Sequence, residues 1–404
     1  MTGARQVRRA LAVAISLALA MTAACTDDDG GDVSTDPEPG PTSTTAPAPA
    51  LTFYEPATVL DSGAPGDVLE TEPLELDPNL PGTGQRITFV SSTPAGDLVP
   101  VTGVLIAPST PKPAGGYPVV VWAHGTTGVG DACAPSSAIP FTIPGGQEFL
   151  AAGYAIAAPD YEGLGQPDEI HPYLVGLAEG HNVLDAARAA STIGGGSVAV
   201  TWGWSQGGHA ALFAASIADE YAPELDVRGA AVHAPVTDAA LFLLQGTTDP
   251  EVFPFTAEAI LAWSEVYEQT NLTDLVVVED AERARLAQQA CTGDIINALD
   301  RPLDEIFLED PANTETWRAA AETNSVDARQ VEVPVIVAHG DADPLVPEEG
   351  SESLVAALCA QEVPTTFLHD ATWDHNGAYL YAYPQFVEWI TARIEGDPAP
   401  SECT

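Results

Sequence analysis

Gly203–Trp204–Ser205–Gln206–Gly207 is the one GxSxG pattern in the 404 residues. It stands directly after an apolar run, 197–202, and directly before a segment with helical spacing, 206–220. Small residues two before and two after a serine let the chain turn sharply. The hydroxyl is then lifted above the end of a strand, with a helix amino terminus beneath it. A serine hydroxyl is too weak an acid to attack a carbonyl unaided, so a base must stand beside it and a carboxylate must orient that base. In strand–turn–helix sites of this kind the order along the chain is Ser, then Asp or Glu, then His. Downstream, His339–Gly340–Asp341–Ala342–Asp343–Pro344–Leu345–Val346–Pro347 follows another apolar run, 333–338. The acid is expected at Asp343, with Asp341 as its rival. Two histidines come after it. His369 ends the last predicted strand, whereas His375 lies in Trp373–Asp374–His375–Asn376–Gly377, where a mobile imidazole could swing over the sheet edge. The base is therefore expected at His375.

The oxyanion formed on attack needs two aligned backbone donors. One is the amide of Gln206, right after the nucleophile. The other is expected from the loop His124–Gly125–Thr126–Thr127–Gly128, presented by Thr126 or Thr127. His171, His181, His209, His233 and His339 read by default as structural. The scheme calls for no metal and no cofactor.

The surrounding pattern is one that can hold such a site. Short β-branched runs at 86–91, 98–106, 118–123, 154–158, 197–202, 227–233, 333–338 and 363–368 alternate with helical segments at 177–192, 206–220, 350–360 and 378–395. Several of the runs are apolar throughout, as in strands covered on both faces. The fold class is therefore α/β, a mainly parallel central sheet flanked by helices. Residues 238–330 break the alternation. They carry Leu, Ala, Trp and Glu at helical spacing, with strand signal only at 275–278, and read as a helical cap over the carboxyl edge, where ligands bind in such sheets. The core is then 51–237 together with 331–404. Within the cap, Glu251, Glu258, Glu265 and Glu268 read as a solvated helix face.

Composition narrows the function classes. Charged residues are only 18% of the chain, and 58 acids against 13 bases give a formal net charge of −45. Phosphate backbones repel such a surface, so nucleic acid is not an expected partner. Residues 1–24 read as a signal peptide: Arg5, Arg8 and Arg9, then an apolar run at 10–21 too short to span a membrane. Thr22–Ala23–Ala24 before Cys25 looks like the lipobox of bacterial lipoproteins, with Cys25 acylated, and plain secretion is the competing reading. Residues 25–50, rich in Pro, Asp, Ser and Thr, read as a tether reaching at most ~80 Å. Four further cysteines, Cys133, Cys291, Cys359 and Cys403, imply two disulfides in an exported chain, with three pairings open.

Together these pieces resemble the α/β-hydrolase superfamily and, more narrowly, the secretory lipase family. Beyond the elbow, the resemblance is carried by Cys133–Ala134–Pro135–Ser136, by Pro159–Asp160–Tyr161–Glu162–Gly163–Leu164–Gly165 and by Tyr221–Ala222–Pro223–Glu224–Leu225. The Gly229–Ala230–Ala231 strand and the long helical insertion add to it. The match runs from about 53 to 403. It implies a helical lid over an acyl-binding cleft, ester hydrolysis through an acyl-enzyme, and the pairings Cys133–Cys291 and Cys359–Cys403. The HGTTG loop looks more like that of general esterases and peptidases than that of the fungal lipases. The expected partners are an ester or lipid substrate and, through Cys25, the outer face of a membrane, with the protein a monomer. An exported serine peptidase and a non-catalytic binding lipoprotein are the competing readings.

Overall fold

The computed structural model describes residues 52–54, 60–166, 169–277, 291–292 and 303–403. The signal peptide, Cys25 and the 25–50 tether lie outside the described residues. Nine strands form one sheet: β1 (Val68–Leu74), β2 (Gly82–Ser92), β3 (Leu98–Pro108), β4 (Tyr117–Ala123), β5 (Ala155–Pro159), β6 (Gly195–Trp204), β7 (Asp226–His233), β8 (Val335–His339) and β9 (Thr365–His369). Their order across the sheet is β1-β2-β3-β5-β4-β6-β7-β8-β9. The first three strands and the β3–β5 pair are antiparallel, and the remaining neighbours are parallel. β5 and β8 are buried along their whole length. That is why they read as unbroken apolar runs rather than alternating ones.

Helices cover both faces. Ala- and Leu-rich α2 (Gly176–Ala189) and α3 (Gln206–Tyr221) pack on one side with Val119, Val121 and Val337. α1 (Gly146–Ala152) and α8 (His375–Glu395) pack on the other, where Phe149, Leu150, Phe386, Trp389 and Ile390 meet Val120, Ile156 and Ile336. β1 and α1 have no counterpart among the expected elements. β1 exposes Glu70, turns the half-buried Glu72 to the guanidinium of the buried Arg86 and pairs only at the sheet's edge, so its apolar content is low. Acidic side chains on an edge strand also discourage pairing with another chain.

Between β7 and β8 the described part of the cap is helical: α4 (Ala239–Gly246), α5 (Phe253–Val266) and α6 (Glu315–Thr323). Asp238 caps α4 by accepting from the Leu241 amide. These helices build an apolar cluster of their own around Phe242, Ile260, Trp263 and Trp317. The expected strand at 275–278 is reduced to a single bridge, Val276 to Phe307. The expected solvated face of α5 needs correcting. Glu251, Glu265 and Glu268 are exposed, but Glu258 is fully buried. α5 is apolar on nearly every side, which leaves Glu258 no solvent to face.

Disulfides join Cys133 to Cys291 and Cys359 to Cys403, the pairings that the resemblance implies. The first links the loop after β4 to the cap. The second fastens the carboxyl-terminal segment to the helix α7 (Glu348–Ala360).

Candidate active site

Ser205 sits between β6 and α3 with φ 58° and ψ −120°, one of the few non-glycine residues at positive φ. Its amide donates to the His233 carbonyl at 2.9 Å, which ties the turn to β7. The two flanking glycines are required by packing. A Cβ on Gly203 would lie 1.9 Å from the Gly207 carbonyl oxygen, and one on Gly207 would lie 1.9 Å from that of Ala123. The turn thus closes so tightly that only hydrogen fits at either position, and the local strain lifts the serine off the sheet.

Asp343 and His375 meet. His375 Nδ1 donates to Asp343 Oδ2 at 2.7 Å, which fixes the tautomer and leaves Nε2 as an acceptor. The other carboxylate oxygen, Oδ1, accepts from the amides of Leu345 at 2.8 Å and Val346 at 3.0 Å. Burial pushes the Asp343 carboxyl up, but hydrogen bonds from His339 and His375 and the charge of His375 outweigh it and hold the group well below the usual carboxylate range. The rivals pair with each other instead. Asp341 contacts His369, both at the surface, and His369 also approaches Glu348 at 2.7 Å.

One expectation changes here. His375 is not on a mobile loop. It is the first residue of α8, capped by Asp374, which accepts from the Gly377 amide, and it is only 6% exposed. Its carbonyl accepts from Trp204 Nε1 at 3.1 Å, so the ring is anchored next to the serine turn. His339 is structural in a pointed way: Nδ1 faces Ser351 Oγ at 2.8 Å, and Nε2 reaches Asp343 Oδ2 at 3.1 Å. His209, His171, His181 and His233 are likewise held by hydrogen bonds.

Ser205, His375 and Thr126 line one cavity of about 160 Å³. Tyr173, Val236, Phe242, Phe255, Leu345 and Val346 supply most of its remaining wall. Thr127 does not line it, and its carbonyl accepts instead from the Thr292 amide at 3.2 Å. Thr126 Oγ1 is bonded to the Tyr173 hydroxyl at 2.8 Å, and Gln206 is buried. Tyr173, Glu179 and His171 surround these two loops; the sequence marks His171 only as structural and singles out neither Tyr173 nor Glu179.

A mostly parallel nine-stranded sheet with helices on both faces and a serine on a strand–helix turn defines the α/β-hydrolase fold. The solved structure of Candida antarctica lipase A in its closed state shares it, with a TM-score of 0.74 at 17% identity over 87% of this chain and 88% of that one. Residues 147–402 match the family model described as secretory lipase, which covers more than half of the chain, and the chain belongs to that family. Curated relatives include a Mycobacterium tuberculosis protein named "Probable inactive lipase", 25% identical over 86% of this chain and 82% of its own length. Another is a secreted triacylglycerol lipase of Malassezia globosa, 26% identical over 87% of this chain and 80% of its own.

Proposed function

We propose that this protein is an exported serine hydrolase that cleaves carboxylic esters through an acyl-enzyme on Ser205. The observation that carries the reading is the cavity shared by Ser205 and His375, with Asp343 bonded to the far nitrogen of the imidazole. In the first step His375 Nε2 takes the Ser205 proton while Oγ attacks the ester carbonyl. The amides of Gln206 and Thr126 receive the developing negative charge, and Asp343 stabilises the imidazolium. His375 then gives its proton to the departing alcohol. Water, deprotonated by the same imidazole, frees the acid and restores Ser205.

The substrate we assign is an ester of a short acyl chain. A cavity near 150 Å³ is on the scale that holds a benzene-sized apolar group, about six heavy atoms, and this one is walled by Phe, Val, Leu and Tyr. Phe242 and Phe255 come from α4 and α5, so the cap acts as an acyl-binding lid. Among the described residues the lining contains no carboxylate that could grip a peptide's amino terminus, and Glu258 is buried away from solvent. Export, with Cys25 as a lipid anchor at the outer membrane face, rests on the leader pattern of residues 1–25. It is consistent with two disulfides, and none of the described helices is long and apolar enough to cross a membrane.

The relative named as inactive makes a binding lipoprotein on the same scaffold the competing outcome. Hydrolysis of p-nitrophenyl esters from acetate to palmitate separates the readings. We expect an optimum at four to eight carbons. An optimum at long chains would overturn the short-chain assignment, and no hydrolysis at any length would favour the binding protein.

A further inference from the structure

α2 carries a carboxylate that the mechanism above does not use. Glu179 lies in the first turn of α2, fully buried, and both its oxygens are occupied. Oε1 accepts from Gln206 Nε2 at 2.7 Å and from the Leu174 amide at 3.0 Å. Oε2 accepts from His209 Nδ1 at 2.7 Å. The second hydrogen of the Gln206 amide faces His171 Nε2 at 2.6 Å, and His171 Nδ1 donates to the Glu162 carbonyl at 2.9 Å. The Gln206 side chain is therefore held from two sides.

The contact with Leu174 reaches the other arm of the site. Leu174 has φ 53°, a strained turn that needs a fixed partner. Tyr173, the residue before it, offers its carbonyl to Trp263 Nε1 at 3.1 Å and its hydroxyl to Thr126 Oγ1 at 2.8 Å. One carboxylate oxygen thus binds the residue that follows the nucleophile and the turn that buttresses Thr126. Those are the two loops to which the proposed oxyanion donors belong.

A lone buried carboxylate is costly, and this one has a partner. His209 Nε2 faces the Asn324 carbonyl at 2.9 Å while Nδ1 faces Glu179. Burial lowers the pKa of His171 to about 4, so His171 stays neutral and accepts from Gln206.

We propose that Glu179 is a positioning residue that sets the spacing of the oxyanion hole by holding the Gln206 and Tyr173–Thr126 arms on one oxygen. The proposal rests on the ester-hydrolase reading. Glu179→Leu keeps the bulk and removes the shared acceptor from both arms at once, whereas Glu179→Gln can leave its carbonyl oxygen on Gln206 and Leu174 and turn its NH2 to His209 Nδ1. Removing one oxyanion donor outright typically costs about 100- to 1,000-fold, and misaligning two should cost on the order of 30-fold or more.

The test is the rate of Ser205 labelling by a fluorophosphonate, together with kcat and KM for p-nitrophenyl butyrate. Both are measured in wild type, Glu179→Leu, Gln206→Met and the double variant. Each single variant is expected to lose labelling rate and kcat by about 30-fold with KM within about twofold. The double variant should be no more than about threefold worse than the slower single one, because both changes break the same link. If Glu179→Leu does not fold, Gln206→Met breaks the link from its other end and must reproduce the loss by itself. Unchanged rates in either folded single variant, or multiplicative losses in the double variant, would overturn the positioning role alone. Wild type that neither labels nor hydrolyses would overturn the ester-hydrolase reading and this proposal with it.

Discussion

Asp343→Asn is the substitution whose outcome the geometry determines most fully. The two oxygens of Asp343 are not equivalent: Oδ1 accepts from two backbone amides, and Oδ2 accepts from His375 and His339. In the amide the carbonyl oxygen must stay with the backbone donors, because an NH2 there would oppose two N–H groups inside the protein. The new NH2 is then forced onto Oδ2's place, where it donates to His375 Nδ1. Nδ1 becomes an acceptor, the ring proton moves to Nε2, and the imidazole can no longer take the Ser205 proton. A wrong tautomer in a Ser-His-Asp site costs about 10⁴ in kcat, equivalent to roughly 5 kcal/mol at ~1.4 kcal/mol per tenfold. KM should change by less than about threefold. The assay is steady-state hydrolysis of p-nitrophenyl butyrate, with Asp341→Asn as comparison. Asp341 is itself exposed and pairs with the exposed His369, away from Ser205 and His375, so its substitution should leave kcat within about twofold. An Asp343→Asn enzyme that keeps a tenth of the wild-type kcat would refute the tautomer argument. An Asp341→Asn enzyme that loses as much as Asp343→Asn would move the acid to the other residue.

Other outcomes follow from the same structure. Burial raises the pKa of Glu258 from 4.5 to about 8, so the unfolded chain releases that proton first and this residue's contribution to stability falls as pH rises through that window. Glu258→Gln should therefore raise Tm at pH 8 relative to wild type and not at pH 4, by at most about 5 kcal/mol in unfolding free energy; calorimetry at the two pH values checks the sign. Gly207→Ala places a methyl 1.9 Å from the Ala123 carbonyl oxygen and should cost at least ~3 kcal/mol, or prevent folding, as read by urea unfolding. Cys359→Ser with Cys403→Ser opens a link of sequence separation 44 and should cost up to about 4 kcal/mol by loop entropy, with kcat unchanged in the folded fraction.

Much of this was legible in the chain because the central strands are buried on both faces and must be written as unbroken apolar runs. β1 escaped because an exposed edge strand carrying Glu70 and Glu72 has little apolar signal to offer. The start of α8 escaped for a different reason. Asp374, three residues before Gly377, is an N-cap signal that places His375 on a helix, yet the glycine and asparagine beside it read as loop. Buried carboxylates were the blind spot. Glu179 and Glu258 are ordinary helix acids by spacing, and only the packing of α2 and α5 removes their solvent. The all-round apolar character of 253–263 was the available clue for Glu258. For Glu179 the partners lie up to 145 positions away along the chain, at Asn324 beyond His209, where local pattern carries no information.

The central claim is that Ser205 carries the acyl group. Rapid quenching of the enzyme with p-nitrophenyl butyrate, followed by peptide mass measurement, tests it directly. The account predicts a butyryl adduct on the peptide containing Ser205, formed as p-nitrophenol is released and absent in Ser205→Ala together with all turnover. Hydrolysis that persists in Ser205→Ala, or an adduct on another residue, would contradict it.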